Sequence, residues 1–178
     1  MNVEAWIAEH KPNRELAQIL RLARSRAKQD QIETSDLFSA YGNTGSWPQT
    51  LNIHEWVRSQ RSRGVAKTAG QDFSLEAIEA LSEAVRINQL QGYRFVSDRQ
   101  LMAVLLCARF SHFTVQREIR EFTNVDRLRE KFLNMLGPES EETSAYREYL
   151  RTGNMDRFSP AKPAQDSDEG AARDVWKW

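Results

Sequence analysis

The stretch QGYRFVSDRQLMAVLL, residues 91–106, ends one helix and opens another within a few residues. Gly92 can take the left-handed conformation that stops a helix at little steric cost. Ser97 can accept hydrogen bonds from the amides that open the next helix. Gln100, three residues later, completes a capping-box pattern. Between these signals, Tyr93, Phe95 and Val96 read as bridging residues that pack into a core. The stretch therefore predicts a helix end, a buried elbow and a helix start. A second elbow of this kind lies earlier, in QDQIETSDLFSAY, residues 29–41. Ile32 matches Val96, Thr34 matches Asp98, Leu37 matches Leu101 and Phe38 matches Met102, all at a spacing of 64. Thr34 reads as the N-cap of the first copy. By pattern alone the two elbows make a possible internal repeat of helix–elbow–helix units.

Helical spacing runs through the rest of the chain, and no clear alternating strand pattern or hairpin turn is found. Leu16, Ile19, Leu20, Ala23 and Ala27 lie on one helical face. Ala77, Leu81, Ala84 and Val85 do the same after Ser74, and Leu101, Val104, Leu105 and Ala108 follow the second elbow. Val115, Ile119 and Phe122 mark a short helix. Leu128, Phe132, Leu133 and Leu136 mark another, closed by Gly137-Pro138. TLNIHEWVRSQR, residues 50–61, resembles FTNVDRLREKFL, residues 122–133, but at a spacing of 72. The first copy is thus shorter, and the loss falls on YGNTGSWPQT, where Gly42, Gly45 and Pro48 forbid a long helix. SEETSAYREYLR, residues 140–151, predicts one amphipathic helix with an acidic first turn. Residues 154–178, rich in Gly, Pro, Ser and charge, lack the apolar content to fold alone and read as a disordered tail.

Several function classes are disfavoured at this level. Lys plus Arg equals Asp plus Glu at 25 each, so no overall charge draws the chain to nucleic acid or anionic membrane. Basic clusters at Arg21, Arg24, Arg26 and Lys28, and at Arg58, Arg61 and Arg63, read as solvated helix faces. The single cysteine, Cys107, sits in an apolar run and reads as a buried structural thiol. No run reaches the ~18 apolar residues of a membrane span. The opening MNVEAWIAEHKPNRE shows no basic region followed by an apolar core, so a cytoplasmic location is expected. His10, His54 and His112 lack metal-ligand spacing, and Glu15, Glu76, Glu79 and Glu83 lie at helical surface spacing. With no nucleophile elbow, HExxH or CxxC, the expectation is a protein that is not an enzyme and needs no metal or cofactor.

The residues from AIEALSEAVRINQLQGYRFVSDRQLMAVLL through VQREIREFTNVDRLREKFLNML resemble the Clp N-terminal domain, also called the Clp repeat or R domain. That family carries a long helix, a Gly-His/Tyr-x-aromatic-(Ile/Val) elbow, a Thr/Ser-capped helix ending in a Leu-Leu run, and a final pair of helices. The second copy resembles it through nearly its whole length, with a short insertion near Phe110 and Phe113. The first copy resembles it through ARSRAKQDQIETSDLF.

The resemblance implies an all-α fold of two pseudo-symmetric four-helix repeats, the first eroded. The double domain would span residues 1–137, with repeats at about 10–63 and 73–137. An extra helix over 138–153 and the tail over 154–178 would follow. It also implies a protein partner: a Clp-type AAA+ unfoldase, its substrate or its adaptor. No GxxxxGK[ST] loop is present, so the chain looks like the recognition module without the motor. Members that bind phosphoarginine place a Glu after each elbow, whereas Ser35 and Arg99 stand there here, and Arg99 would repel a guanidinium. Ser35, Asp36, Arg99 and Gln100 are the expected peptide-binding surface. Trp176 and Trp178, two costly aromatics in a polar tail, are the expected docking motif. Two rival readings are a secretion-system or other assembly accessory and a nucleic-acid-binding helical protein.

Overall fold

In the computed structural model, residues 1–27, 30–42 and 72–159 are described. Their order is α1 (Val3–His10), α2 (Arg14–Arg26), β1 (Gln31–Ile32), α3 (Thr34–Tyr41), β2 (Asp72–Phe73), α4 (Leu75–Gln91) and α5 (Asp98–Leu106). A 3-10 turn (Ala108–Phe110) leads to α6 (Thr114–Arg120), α7 (Val125–Met135) and α8 (Glu141–Thr152). The fold is all-α, as expected. The shortened segment of the first repeat and the linker that follows it lie outside the described residues.

Helix α5 is the axle of the fold. Every residue from Gln100 to Leu106 is buried. A helix apolar all round belongs in a core, and α5 packs against α2, α3, α4, α6, α7 and α8. The helix before each elbow lays an apolar stripe on it: Leu16, Ile19, Leu20 and Ala23 from α2, and Ala77, Leu81, Ala84 and Ile87 from α4. These are the faces read from the spacing.

The two elbows are joined by reciprocal backbone pairing. Ile32 pairs in parallel with Phe73, and Val96 pairs in parallel with Pro12. The amide of Ser74 donates to the Ile32 carbonyl at 3.0 Å, and the amide of Asn13 donates to the Val96 carbonyl at 2.8 Å. Each donor is also the N-cap of the next helix: Asn13 Oδ1 accepts from the Leu16 amide and Ser74 Oγ from the Ala77 amide. The elbow of one repeat thus fixes the first helix of the other. The Tyr41 hydroxyl, fully buried at the end of α3, adds a third tie by donating to the Asp98 carbonyl at the start of α5.

Both elbows close with capping boxes, the second of them, Ser97–Gln100, at the expected residues. The Glu33 amide donates to Asp36 Oδ2 and the Ser97 amide to Gln100 Oε1. The N-cap of the first copy is therefore Glu33, and Thr34 is the first helical residue. Thr34 instead reaches across the repeats. Its hydroxyl donates to Glu76 Oε2 and accepts from the Val115 amide. Glu76 also accepts from the Thr114 amide at 2.8 Å, so its carboxylate lies at the positive end of α6. This corrects the reading of Glu76 as a solvated-face residue.

The C-terminal part is also built into the core. Ala145, Tyr146, Tyr149 and Leu150 of α8 are buried, and Tyr146 meets Phe132 edge to face. The chain turns at Gly153, whose φ of 76° is left-handed and where a Cβ would lie 2.6 Å from Arg109 Cδ. It then doubles back along α8: Arg157 Nη1 donates to Ser144 Oγ, and Phe158 packs on Tyr146 and Tyr149. Met155 and Phe158 are buried. Residues 154–159 thus belong to the packed body, not to the tail expected from 154. The remainder of that tail lies outside the described residues.

Glu83 departs from its expected surface role. Only 11% of its side chain is exposed, against Arg109 at 3.6 Å. Its Oε1 and the Tyr149 hydroxyl are both buried without a hydrogen-bond partner among the described residues. Burial pushes the Glu83 carboxyl above its ordinary value, opposed by the charges of Arg109 and Arg86. Such a group binds its proton more tightly folded than unfolded, so stability falls as pH rises through the window between the unfolded and folded values. We predict that Glu83→Gln removes this dependence and raises the melting temperature at neutral pH, read by thermal unfolding from about pH 4 to 8. An unchanged pH slope in the variant would contradict it.

Candidate interaction surface

The second elbow carries the candidate site. Gly92, with φ 67°, ends α4 by donating its amide to the carbonyls of Asn88 and Gln89. The chain then bends at Arg94 and Phe95 and enters Val96, which is buried. Tyr93 is 39% exposed and Phe95 44%, and Leu90, in the last turn of α4, 36%. Only Val96 of the three expected bridging residues packs in the core. Arg94 lies over the Phe95 ring at 5.0 Å, a cation–π contact on the surface. At the matching positions of the first elbow, Asp30 and Gln31 replace Arg94 and Phe95. The aromatic patch therefore belongs to one repeat alone.

A connected polar network holds this loop from below. Gln100 is fully buried, and its amide nitrogen donates to Asn88 Oδ1 at 3.2 Å and Gln91 Oε1 at 2.8 Å. Gln91 Oε1 also accepts from the Tyr146 hydroxyl, and its nitrogen donates to Glu142 Oε1. Burial pushes the Tyr146 phenol well above its ordinary value, so it stays a donor. Asn88 donates to the Tyr93 carbonyl and the Tyr93 hydroxyl donates to Glu142. A buried network with its amides satisfied holds one geometry, because breaking a member strands the others in low dielectric. The result is a stiff loop that presents aromatic rings to solvent.

The expected binding residues divide unevenly. Ser35 and Asp36 are each 8% exposed in the first turn of α3, where Asp36 serves the capping box. Gln100 lies beneath the surface, not on it. Arg99 alone is exposed, in the first turn of α5 beside the network, where its charge is felt by Tyr146. Trp176 and Trp178 lie outside the described residues. Leu90, Tyr93, Phe95 and Glu142 were missed. Nothing in the local spacing marks the two aromatics as outward, because the segment is a bend with no strand or helix period.

Other parts of the surface offer less. Arg21 and Arg24 both pair with Glu4, at 3.1 and 3.4 Å, which offsets the first basic cluster. The second basic cluster lies outside the described residues. Two shallow hollows of about 580 and 510 Å³ flank the α6–α7 turn and are lined by charges of both signs, among them Arg120, Asp126, Arg127 and Glu130. Among the described residues, no cluster of His, Cys, Asp and Glu is arranged to hold a metal, and no helix is long and apolar enough to cross a membrane. His10 stacks on Trp6 at 4.7 Å and His112 lies 3.8 Å from Glu79. Cys107 is buried, with its thiol donating to the Tyr149 carbonyl and pushed up by burial, so it is a poor nucleophile.

No protein-family profile matches the chain. No curated protein matches it either. Among solved structures, it is similar to the N-terminal domain of Hsp104 from Candida albicans, with a TM-score of 0.54 and 18% identity. That likeness covers 68% of this chain and 89% of the other. At such identity the likeness establishes a shared fold, the one that the elbow motifs implied.

The division of labour between loop and support is testable by urea unfolding. Gln100→Ala leaves buried amides of Asn88 and Gln91 short of partners, at about 1–3 kcal/mol each. We expect it to cost about 2–4 kcal/mol in total. The double change Tyr93→Ala/Phe95→Ala removes exposed rings and should cost less than about 1 kcal/mol. The reverse ranking would show that the rings, not the network, hold the loop.

Proposed function

We propose that this chain is a non-catalytic protein-binding module that grips a segment of another protein with the Leu90–Tyr93–Phe95 patch. The carrying observation is the pair of exposed aromatic rings on a loop fixed by a buried polar network. Rigid aromatic anchors lose little entropy on binding and dominate the energy of protein interfaces. Arg94 and Arg99, both exposed, flank the patch and suit a segment that carries acidic residues beside its apolar anchor. The fold shared with an Hsp104 N-terminal domain supports the finer reading: the partner is a Clp-type AAA+ unfoldase, or a substrate or adaptor of one. In that role the chain would modulate delivery to the machine. The balanced charge and the Glu4 pairing of Arg21 and Arg24 favour a protein partner over nucleic acid.

The test is affinity capture from native lysate, read by mass spectrometry, with the full chain and its Tyr93→Ala/Phe95→Ala variant. Recovery of an AAA+ unfoldase or its client by the full chain, falling at least about tenfold with the variant, is the expected result, since losing two aromatic anchors removes more than 1.4 kcal/mol of binding. Equal recovery by both would place the contact elsewhere. Capture lost on nuclease treatment would replace this reading with a nucleic-acid one.

A further inference from the structure

We propose that Glu83 is a proton-operated latch for the chain that returns along α8: residues 153–158 stay seated while its carboxyl is neutral and loosen when it ionises. The device stands apart from the Leu90–Tyr93–Phe95 patch and its capture test.

Two side chains link the carboxyl to the return segment. Arg109 is the first. Its Nη1 lies 3.6 Å from Glu83 Oε1, too far for a good hydrogen bond, and its guanidinium carbon lies 5.4 Å from the centre of the Phe110 ring. Its stem fills the space under the turn at Gly153, where a Cβ would meet Arg109 Cδ at 2.6 Å and Arg109 Cβ at 2.9 Å. Tyr149 is the second. Its hydroxyl and Glu83 Oε1 are both buried without a hydrogen-bond partner among the described residues, and the two groups act on each other electrostatically. Its ring holds Phe158, with 5.7 Å between the centroids.

A neutral carboxyl tolerates this arrangement. A buried carboxylate does not, because it needs hydrogen-bond donors or water. Arg109 and Tyr149 offer such donors. Recruiting Arg109 draws its head off Phe110 and its stem from beneath Gly153. Recruiting Tyr149 shifts the ring that holds Phe158. Either movement unseats one end of the return segment. Residues 153–158 have no helix or strand ladder of their own to resist it, and the Arg157–Ser144 bond is exposed. The other charges that act on the carboxyl are Arg86 and Glu79, both on α4 itself. His112 lies 3.8 Å from Glu79. Cys107 donates its thiol to the Tyr149 carbonyl and stays neutral, since burial pushes it up. Burial also pushes the Glu83 carboxyl above its ordinary value. The seat is therefore kept at low pH and lost as pH rises through the folded value.

The experiment follows the methionine methyl groups and the Glu side-chain carboxyl carbons of the isotope-labelled full chain by NMR, from about pH 4 to 8. Met155 is the probe, buried within the return segment, and Met102, buried in α5, is the control. The Glu83 carboxyl signal is the one missing in Glu83→Gln. The expected result is that the Met155 methyl moves toward the position of an exposed methionine with the midpoint of Glu83, while Met102 stays. In Glu83→Gln, Met155 holds its low-pH position throughout. In Arg109→Met, which keeps a stem without a charge, the Glu83 midpoint rises and the Met155 movement shrinks. His112→Gln changes neither. A Met155 signal that stays still while Glu83 titrates, or still moves in Glu83→Gln, overturns the proposal. So does a Glu83 carboxyl that does not titrate in this range, or a Met102 signal that moves together with Met155.

Discussion

Two backbone hydrogen bonds hold the two halves of this fold in register: Ser74 amide to Ile32 carbonyl, and Asn13 amide to Val96 carbonyl. A helix of the length of α2 or α4 is marginal alone and takes its stability from packing. Packing needs a defined approach. Each elbow provides it by tying its own end to the N-cap residue of the helix in the other repeat. The arrangement is reciprocal, so neither repeat completes its entry geometry without its counterpart. Helix α5 can then sit at the centre, apolar all round, because its neighbours are already placed. The buried Tyr41 hydroxyl on the Asp98 carbonyl and the Thr34–Glu76 bridge to α6 extend the same cross-repeat logic.

The symmetry of the backbone makes the asymmetry of the side chains informative. Both elbows keep a buried aliphatic residue and a capping box. In the first, Asp30 and Gln31 leave the outside polar; in the second, Arg94 and Phe95, with Tyr93, make it aromatic. The network of Asn88, Gln91, Gln100 and Tyr146 stands beneath the second elbow and is completed by Glu142 from α8. The helix that closes the described part of the chain therefore fixes the loop exposed by the second repeat.

The second capping box is legible because it is local. Ser97 and Gln100 are three residues apart, and one helical turn decides whether they meet. In the first copy the same logic slipped by one residue, from Thr34 to Glu33, because a Glu side chain can cap less commonly but Thr34 was needed by Glu76, 42 positions away. Such a demand has no trace in the local spacing. Tyr93 and Phe95 are expected inward as bridging residues, yet of the three only Val96 is buried. Glu83 and Glu76 lie at surface spacing on α4, but the turn before α6 and the return of α8 cover that side of the helix. Ser35, Asp36 and Gln100 look like surface polar residues in a sequence. In the fold Asp36 serves the Glu33 amide, Gln100 serves the Ser97 amide, Asn88 and Gln91, and Ser35 is buried.

What the sequence by itself determined was the class of fold: amphipathic helices, their stops at Gly92 and Gly137, and two matching elbows at a spacing of 64. Those features depend on neighbours within a turn or two, and side-chain periodicity reports them directly. What only the tertiary structure decided was which polar residues are buried and which apolar ones are left outside. Exposure depends on which distant segment arrives to cover a face. Here α8 and the chain that doubles back after Gly153 bury Glu83 and Tyr149, complete the network under Gln100 and leave Tyr93 and Phe95 in solvent.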